Sequence, residues 1–277
     1  MAACPRGSTS APSSSARASA HNRPLRAMED FRDKVVLVTG GATGIGLATA
    51  LAFARRGATL VIAGRRLGEG SKAVEAIREA GAEARFIATD VTRPSDLAAL
   101  HEAIASDHGR LDVAFNNAGF QEPRALLADQ DPALFDRVFD TNVRSAFLAL
   151  QHQLRAMSRQ GKGSIIVNAS VSGLRNPNPG LALYSASKAA LISLVRSAAM
   201  EYAPAGIRIN AVAPGRVVTD MMHASKIMDM EDVAAGLPIR RMGQPGEVAE
   251  AVVWLASDAA SFVVGHVLCA DGGFMTM

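Results

Sequence analysis

A chain of 277 residues with 49% hydrophobic content is long enough to bury one large α/β core, and no apolar run in it approaches the ~18 residues that a membrane span requires. The formal charge of +3 does not point to a nucleic-acid partner: four arginines (Arg6, Arg17, Arg23, Arg26) and no acid fall in residues 1–27, and the other 25 basic and 26 acidic residues net to −1. Two cysteines, Cys4 and Cys269, are too few for a disulfide framework and fit a reducing compartment.

Residues 1–27 are rich in Ser, Ala, Arg and Pro without hydrophobic periodicity, so they are expected to be a disordered extension. Their composition would suit an organellar transit peptide, and Met28 would equally serve as a start, with a dispensable stretch before it. Residues 28–277 form the expected domain. Buried strands are predicted at residues 35–38, 59–63, 84–88, 111–115, 164–169, 207–212 and 266–270, from short apolar runs bounded by turn residues. Helical periodicity is predicted at 44–56, 71–80, 94–106, 132–158, 181–202 and 245–257, with Gly81 stopping the second of these. Strand–helix alternation of this kind calls for an α/β, doubly wound single domain: a parallel sheet of about seven strands with helices on both faces.

Four stretches carry chemistry. Thr39-Gly40-Gly41-Ala42-Thr43-Gly44-Ile45-Gly46 falls where the first strand hands over to the first helix. Glycines there permit a tight turn and let backbone N–H groups approach a pyrophosphate at the positive end of the helix, the Rossmann-type arrangement. Tyr184 and Lys188 stand one helical turn apart on one face. A phenol with a pKa near ~10 becomes a usable acid/base when a neighbouring ammonium lowers that value. Ser170 falls just past a predicted strand, where open α/β sheets bind ligands, and its hydroxyl can hold a substrate oxygen. Asn142 stands inside a predicted helix, where asparagine is a poor former and needs another reason to be present. The six histidines show no i,i+4 pair or cysteine cluster, so no metal site is expected. Ala169-Ser170-Val171-Ser172-Gly173 departs from the G-x-S-x-G pattern of a serine-hydrolase elbow.

Together, Thr39-Gly40-x-x-x-Gly44-x-Gly46, Asn116-Asn117-Ala118-Gly119, Asn142, Ser170 and Tyr184-x-x-x-Lys188 resemble the classical short-chain dehydrogenase/reductase family over residues 31–277. The resemblance implies an NAD(P)-dependent oxidoreductase that moves a hydride between nicotinamide and a carbonyl or secondary alcohol carbon. Tyr184 would be the acid/base and Ser170 the holder of the substrate oxygen. Lys188 would bind the nicotinamide ribose and lower the Tyr184 pKa, and Asn142 would hold a water in a proton relay. The glycine turn (Gly40, Thr43, Gly44, Ile45, Gly46) would take the pyrophosphate. Asp90 and Val91 would contact the adenine, and Asn117, Ala118 and Gly119 would wall the adenosine side. Pro214, Gly215, Val217 and Thr219 would form the nicotinamide loop. The alternative, an idle dinucleotide-binding sensor or scaffold, is disfavoured because Asn142, Ser170, Tyr184 and Lys188 are all present.

Residues 219–237 form the expected lid. Met221 and Met222 within it, with Gln121, Val171 and Leu174, are expected to wall a pocket for a small, apolar or cyclic substrate. At the end of the second strand Gly64 occupies the usual acid position and Arg65 follows, which favours NADP over NAD, since a guanidinium accommodates a 2′-phosphate. Thr43, in place of a second basic residue, argues the other way and keeps NAD open. A cytoplasmic protein is expected from the reducing compartment, and the resemblance further implies a homotetramer, assembled through the two long helices and the apolar C-terminus.

Overall fold

The computed structural model describes residues 30–176, 179–224 and 230–277. The expected extension, residues 1–27, lies outside the described residues, as does Met228 of the expected lid.

Seven strands form one parallel sheet: β1 (Val35–Thr39), β2 (Thr59–Gly64), β3 (Ala84–Ala88), β4 (Val113–Asn116), β5 (Gly163–Asn168), β6 (Ile207–Pro214) and β7 (Val267–Ala270). Their order is β3-β2-β1-β4-β5-β6-β7, so the winding reverses between β1 and β4. The C-terminal ends of those two strands part there and leave a crevice, which is where open α/β sheets bind ligands. Alternation along β1 builds the core. Val36 and Val38 point to one face with Leu60, Ile62, Phe53 and Val252, while Val35 and Leu37 point to the other with Val61, Leu100, Leu150 and Leu191. All five β1 residues are buried, as expected of a strand covered on both sides.

On the first face lie α1 (Gly44–Ala54), α2 (Leu67–Glu79) and α9 (Pro245–Ala256). The second is covered by α3 (Pro94–His108), α5 (Ser145–Gln160) and α6 (Ala182–Tyr202). Two short helices, α7 (Asp220–Ala224) and α8 (Met230–Ala235), follow β6. The helical stretch expected over 132–158 is divided into α4 (Pro132–Phe139), a π-helical turn (Asp140–Arg144) and α5. The helix expected from residue 71 starts at Leu67. Gly68 and Gly70, which look like breakers, are helical there, and Gly70 is required because a Cβ would lie 2.5 Å from the Phe86 ring.

Candidate active site

The glycine turn is shaped by close approach. Gly40 has φ +62°, the left-handed region that glycine adopts without strain. At Gly46 a Cβ would stand 2.1 Å from the Gly40 carbonyl oxygen and 2.7 Å from Asn117 Nδ2, so only glycine lets α1 start this near the turn. Thr43, the N-cap of α1, makes no side-chain cap, which leaves the first-turn N–H groups free to bind an anion.

Thr39 ties this turn to the loop after β4: its Oγ1 accepts from the Asn117 and Ala118 N–H groups at 3.0 and 3.1 Å. Asn117 Nδ2 donates to the Thr39 and Gly40 carbonyls at 3.1 and 3.2 Å, and Asn168 Nδ2 donates to Asn117 Oδ1 at 2.8 Å. The Lys188 ammonium then donates to the Asn168 carbonyl at 2.7 Å. The ends of β1, β4 and β5 and helix α6 are thereby joined by one hydrogen-bonded chain.

Asn142 is 1% exposed and sits in the π-turn, where the widened helix brings its side chain inward. Its Nδ2 donates to the Phe120 carbonyl at 2.8 Å and to Ser187 Oγ at 2.9 Å, while Oδ1 accepts from the Phe120 N–H at 2.7 Å. Ser187 Oγ donates in turn to the Tyr184 carbonyl at 2.7 Å. Both amide hydrogens of Asn142 are thus committed to protein acceptors, so any water on this residue must use an oxygen.

Tyr184 and Ser170 meet across the cleft. Burial raises the Tyr184 phenol above its ordinary pKa, its hydrogen bond with Ser170 lowers it, and the negative charge of Glu122 raises it again. The expected lowering by Lys188 is not among these effects: its ammonium lies 5.5 Å from the centre of the Tyr184 ring and is directed at Asn168. Burial also brings the Lys188 pKa down to about 8. The loop carrying Ser170 rests directly on α6, because a Cβ at Gly173 would come within 2.6 Å of the Lys188 backbone.

These groups line a cleft of about 270 Å³ with Gly40, Thr43, Gly44 and Ile45 at one end and Pro214, Gly215, Val217 and Thr219 at the side. Asn117, Ala118 and Gly119 form another wall, and Gln121, Val171, Met221 and Met222 also line it. Leu174 does not: it is 38% exposed, on the outer side of the short turn that Val171 opens. Gly46 sits behind the turn. Arg65, Asp90 and Val91 fall just past β2 and β3, outside the lining of this cleft. Burial works to raise the Asp90 pKa, but hydrogen bonds from Thr92 and the charges of Arg65 and Arg93 hold it below the ordinary value. Lid residue Met230 starts α8 and does not line the cleft.

Several residues of this framework carry no sequence signal of their own. Ser187 and Asn168 look like filler between motif residues, and Arg66 like a surface cation, although its guanidinium approaches Thr43 Oγ1 at 3.4 Å. Glu122 reads as a loop acid and is 2% exposed. Among the described residues no helix is long and apolar enough to cross a membrane, and no group of three or more metal-ligating side chains occurs.

Residues 40–275 match the family model described as Enoyl-(Acyl carrier protein) reductase. Among curated proteins the chain is 44% identical to cis-4-hydroxycyclohexanecarboxylate dehydrogenase from Sinomonas cyclohexanicum, over 89% of this chain and 98% of that one. It is 39% identical to cyclopentanol dehydrogenase from Comamonas testosteroni, over 89% and 99%. The solved structure of levodione reductase superposes with a TM-score of 0.85 at 36% identity, covering 88% of this chain and 98% of that one. The dinucleotide cradle and the Ser170–Tyr184 pair match what these relatives do, and the chain belongs to the short-chain dehydrogenase/reductase family as an NAD(P)-dependent alcohol dehydrogenase or ketone reductase, transferring a hydride between the nicotinamide cofactor and a carbonyl or secondary alcohol carbon.

Proposed function

We propose that the substrate is a small cyclic secondary alcohol or the corresponding ketone, with Tyr184 as its acid/base. The observation that carries this reading is the meeting of Ser170 and Tyr184 in a cleft of about 270 Å³ whose substrate side is largely apolar, from Val171, Leu181, Met221 and Met222. That space must also admit a nicotinamide ring, so it suits a substrate of about one ring. The relatives named for cyclohexane, cyclopentanol and levodione chemistry support the same class.

When bound, NAD(P) supplies or accepts the hydride. Ser170 Oγ holds the reacting oxygen and fixes its orientation. Tyr184 donates a proton to that oxygen during reduction, or removes it during oxidation. The Lys188 ammonium, steered by the Asn168 carbonyl, binds the ribose. Asn142 sets the depth of Tyr184 through Ser187 and offers its oxygens to the water that returns the proton to solvent. The glycine turn, with Gly40, Thr43, Gly44, Ile45 and Gly46, binds the pyrophosphate, and Pro214, Gly215, Val217 and Thr219 hold the nicotinamide.

NADP is the favoured cofactor. Gly64 leaves no carboxylate at the end of β2, Arg65 follows it exposed, and Arg66 reaches Thr43. Two guanidinium groups thus follow β2, that of Arg66 at the glycine turn and also paired with Glu69 at 3.2 Å, and can pair with a 2′-phosphate. A homotetramer is supported by the exposed Phe135, Phe147 and Met200 on α4, α5 and α6, and by the fully exposed Phe262 near the C-terminal strand. Two cysteines and the absence of a membrane-spanning helix among the described residues support a cytoplasmic protein.

The test is a panel of cyclopentanols, cyclohexanols and their ketones, followed by nicotinamide absorbance with both cofactors. Turnover of ring alcohols exceeding that of linear ones, with higher kcat/KM for NADP, is the expected result. A preference for linear or sugar alcohols would overturn the substrate class, and a clear NAD preference would overturn the cofactor assignment.

A further inference from the structure

We propose that Glu122 is a positioning residue for the reaction: its carboxylate caps the N-terminus of α6 from another segment of the chain and locks the loop after β4 to the turn that carries Tyr184. The inference rests on Tyr184 being the acid/base.

Helix α6 begins without a local cap. Its N-cap is Leu181, whose side chain has no acceptor, and the first intrahelical bond runs from the Ser185 N–H to the Leu181 carbonyl at 3.0 Å. The amides ahead of Ser185 are therefore without intrahelical acceptors. Glu122 Oε1 accepts from the Tyr184 N–H at 3.0 Å. The carboxylate is 2% exposed, its Oε2 has no protein donor, and it makes no ion pair among the described residues. A buried acid without a counter-cation is costly. What offsets that cost here is the positive end of a 21-residue helix.

Both backbone polar groups of Tyr184 are thus held by side chains. Its N–H goes to Glu122, and its carbonyl accepts from Ser187 Oγ, which Asn142 holds. Both arms start from residues 120–122, since Asn142 is bonded to the Phe120 N–H and carbonyl. The segment that directly follows the cleft wall of Asn117, Ala118 and Gly119 therefore sets where the phenol stands.

Charge adds a second effect. The charged groups around Tyr184 are Glu122 and, from its own helix, Lys188; Arg216 and Asp220, after β6, line the same cleft, and Arg137 of α4 lies over the neighbouring Phe120 ring at 4.1 Å. Of these Glu122 bonds directly to the Tyr184 backbone, and its negative charge opposes ionisation of the phenol. Glu122 accordingly gives Tyr184 its position and holds its ionisation at higher pH.

Glu122→Gln keeps an oxygen for the Tyr184 amide and removes the charge, whereas Glu122→Ala removes both. In Glu122→Gln the tyrosine ionisation seen in the pH profile of kcat/KM is expected to move to lower pH. In Glu122→Ala, kcat should fall about 10- to 100-fold through misplacement of the phenol, with cofactor Kd within about threefold of wild type. A merely structural role would lower Tm in both variants and leave the pH profile in place. The chain holds two tyrosines, so an ultraviolet titration of each protein against its Tyr184→Phe counterpart reads the same ionisation without turnover. A wild type inactive on the substrate panel overturns the proposed substrate class alone, and this titration still decides the role of Glu122. Should Glu122→Ala fail to fold, Glu122→Gln decides by itself: an unmoved ionisation overturns the proposal.

Discussion

Replacing Gly46 with alanine adds one methyl group at the tightest point of the cofactor cradle. Its Cβ would lie 2.1 Å from the Gly40 oxygen, 2.9 Å from the Gly40 carbonyl carbon and 2.7 Å from Asn117 Nδ2, against a comfortable separation of roughly 3.5 Å. Because Cβ is fixed to the backbone, no rotamer relieves the contact. The glycine turn must retreat by roughly 1 Å, an overpacking strain of about 1–3 kcal/mol. Displacing Asn117 also weakens its bonds to the Thr39 and Gly40 carbonyls, at about 1 kcal/mol each. The expected loss is about 2–4 kcal/mol, a fall in Tm of roughly 5 to 15 °C for a domain of this size. Cofactor affinity, measured by titration calorimetry, should weaken about 10- to 100-fold, since the same turn must cradle the pyrophosphate. Gly68→Ala is the control. Nothing lies within 4 Å of a Cβ there, the residue is inside α2, and stability should rise by about 0.5–1 kcal/mol. A Gly46→Ala protein with wild-type Tm and cofactor affinity would refute the steric account of the turn.

Tyr184→Phe keeps the ring and deletes the hydroxyl, so cofactor binding should persist while turnover falls about 10²- to 10⁴-fold; normal turnover would remove Tyr184 from the chemistry. Arg65→Ala and Arg66→Ala should each raise the KM for NADP about tenfold, as expected of a lost charge-assisted hydrogen bond, and leave NAD kinetics nearly unchanged. An equal loss for both cofactors would make these arginines ordinary surface residues. Acid stability should depend on His101, whose ring stacks on His152 with centroids 4.9 Å apart. Burial, aided by the His152 charge and opposed by the bond to the Leu97 carbonyl, lowers its pKa to about 4. The unfolded chain, with a histidine pKa near ~6.5, binds this proton first. The neutral ring's contribution is therefore complete above about pH 6.5 and is lost as the pH falls towards 4, by about 3 kcal/mol at most. Thermal melts of wild type and His101→Gln across that range should converge on acidification; parallel curves would show that His101 does not titrate this way.

The sheet was largely legible in the chain because a parallel strand covered on both faces must be apolar at nearly every position, and β1, β2 and β4 are short, mostly apolar runs between turn residues. Tyr184, Lys188 and Ser170 were legible because their chemistry needs fixed spacing on a helix or a fixed place after a strand. Features set by contacts between distant segments were not. The early start of α2 depends on Phe86 packing over Gly70, which overrides the usual meaning of two glycines. Leu174 looks like a pocket wall by proximity to Ser170, yet the short turn begun by Val171 directs it outward. The strength of Lys188 as a perturber of Tyr184 depends on where its ammonium points, and it points at Asn168. Glu122 resembles any loop acid until α6 is seen to begin on it.

The π-turn at Asp140–Arg144 has a consequence for how this gene can change. A wide turn accommodates one residue more than an α-turn, so deleting any one residue there would let α4 and α5 run on as a single regular helix. Everything beyond the deletion would keep its phase about the helix axis, because the residue lost is the one that the wide turn absorbs. Asn142 would lose its place against Phe120 and Ser187, while the apolar stripe of α5, with Leu150, Leu154 and Met157, would stay against the sheet. A single-codon deletion in this segment would therefore spare the fold and disturb the site, whereas one in the regular body of α5 would turn every later residue of that helix by about 100°. Length variation in the lineage should therefore collect in the surface loops and, between Pro132 and Gln160, be tolerated by the fold only at the π-turn, where it displaces Asn142.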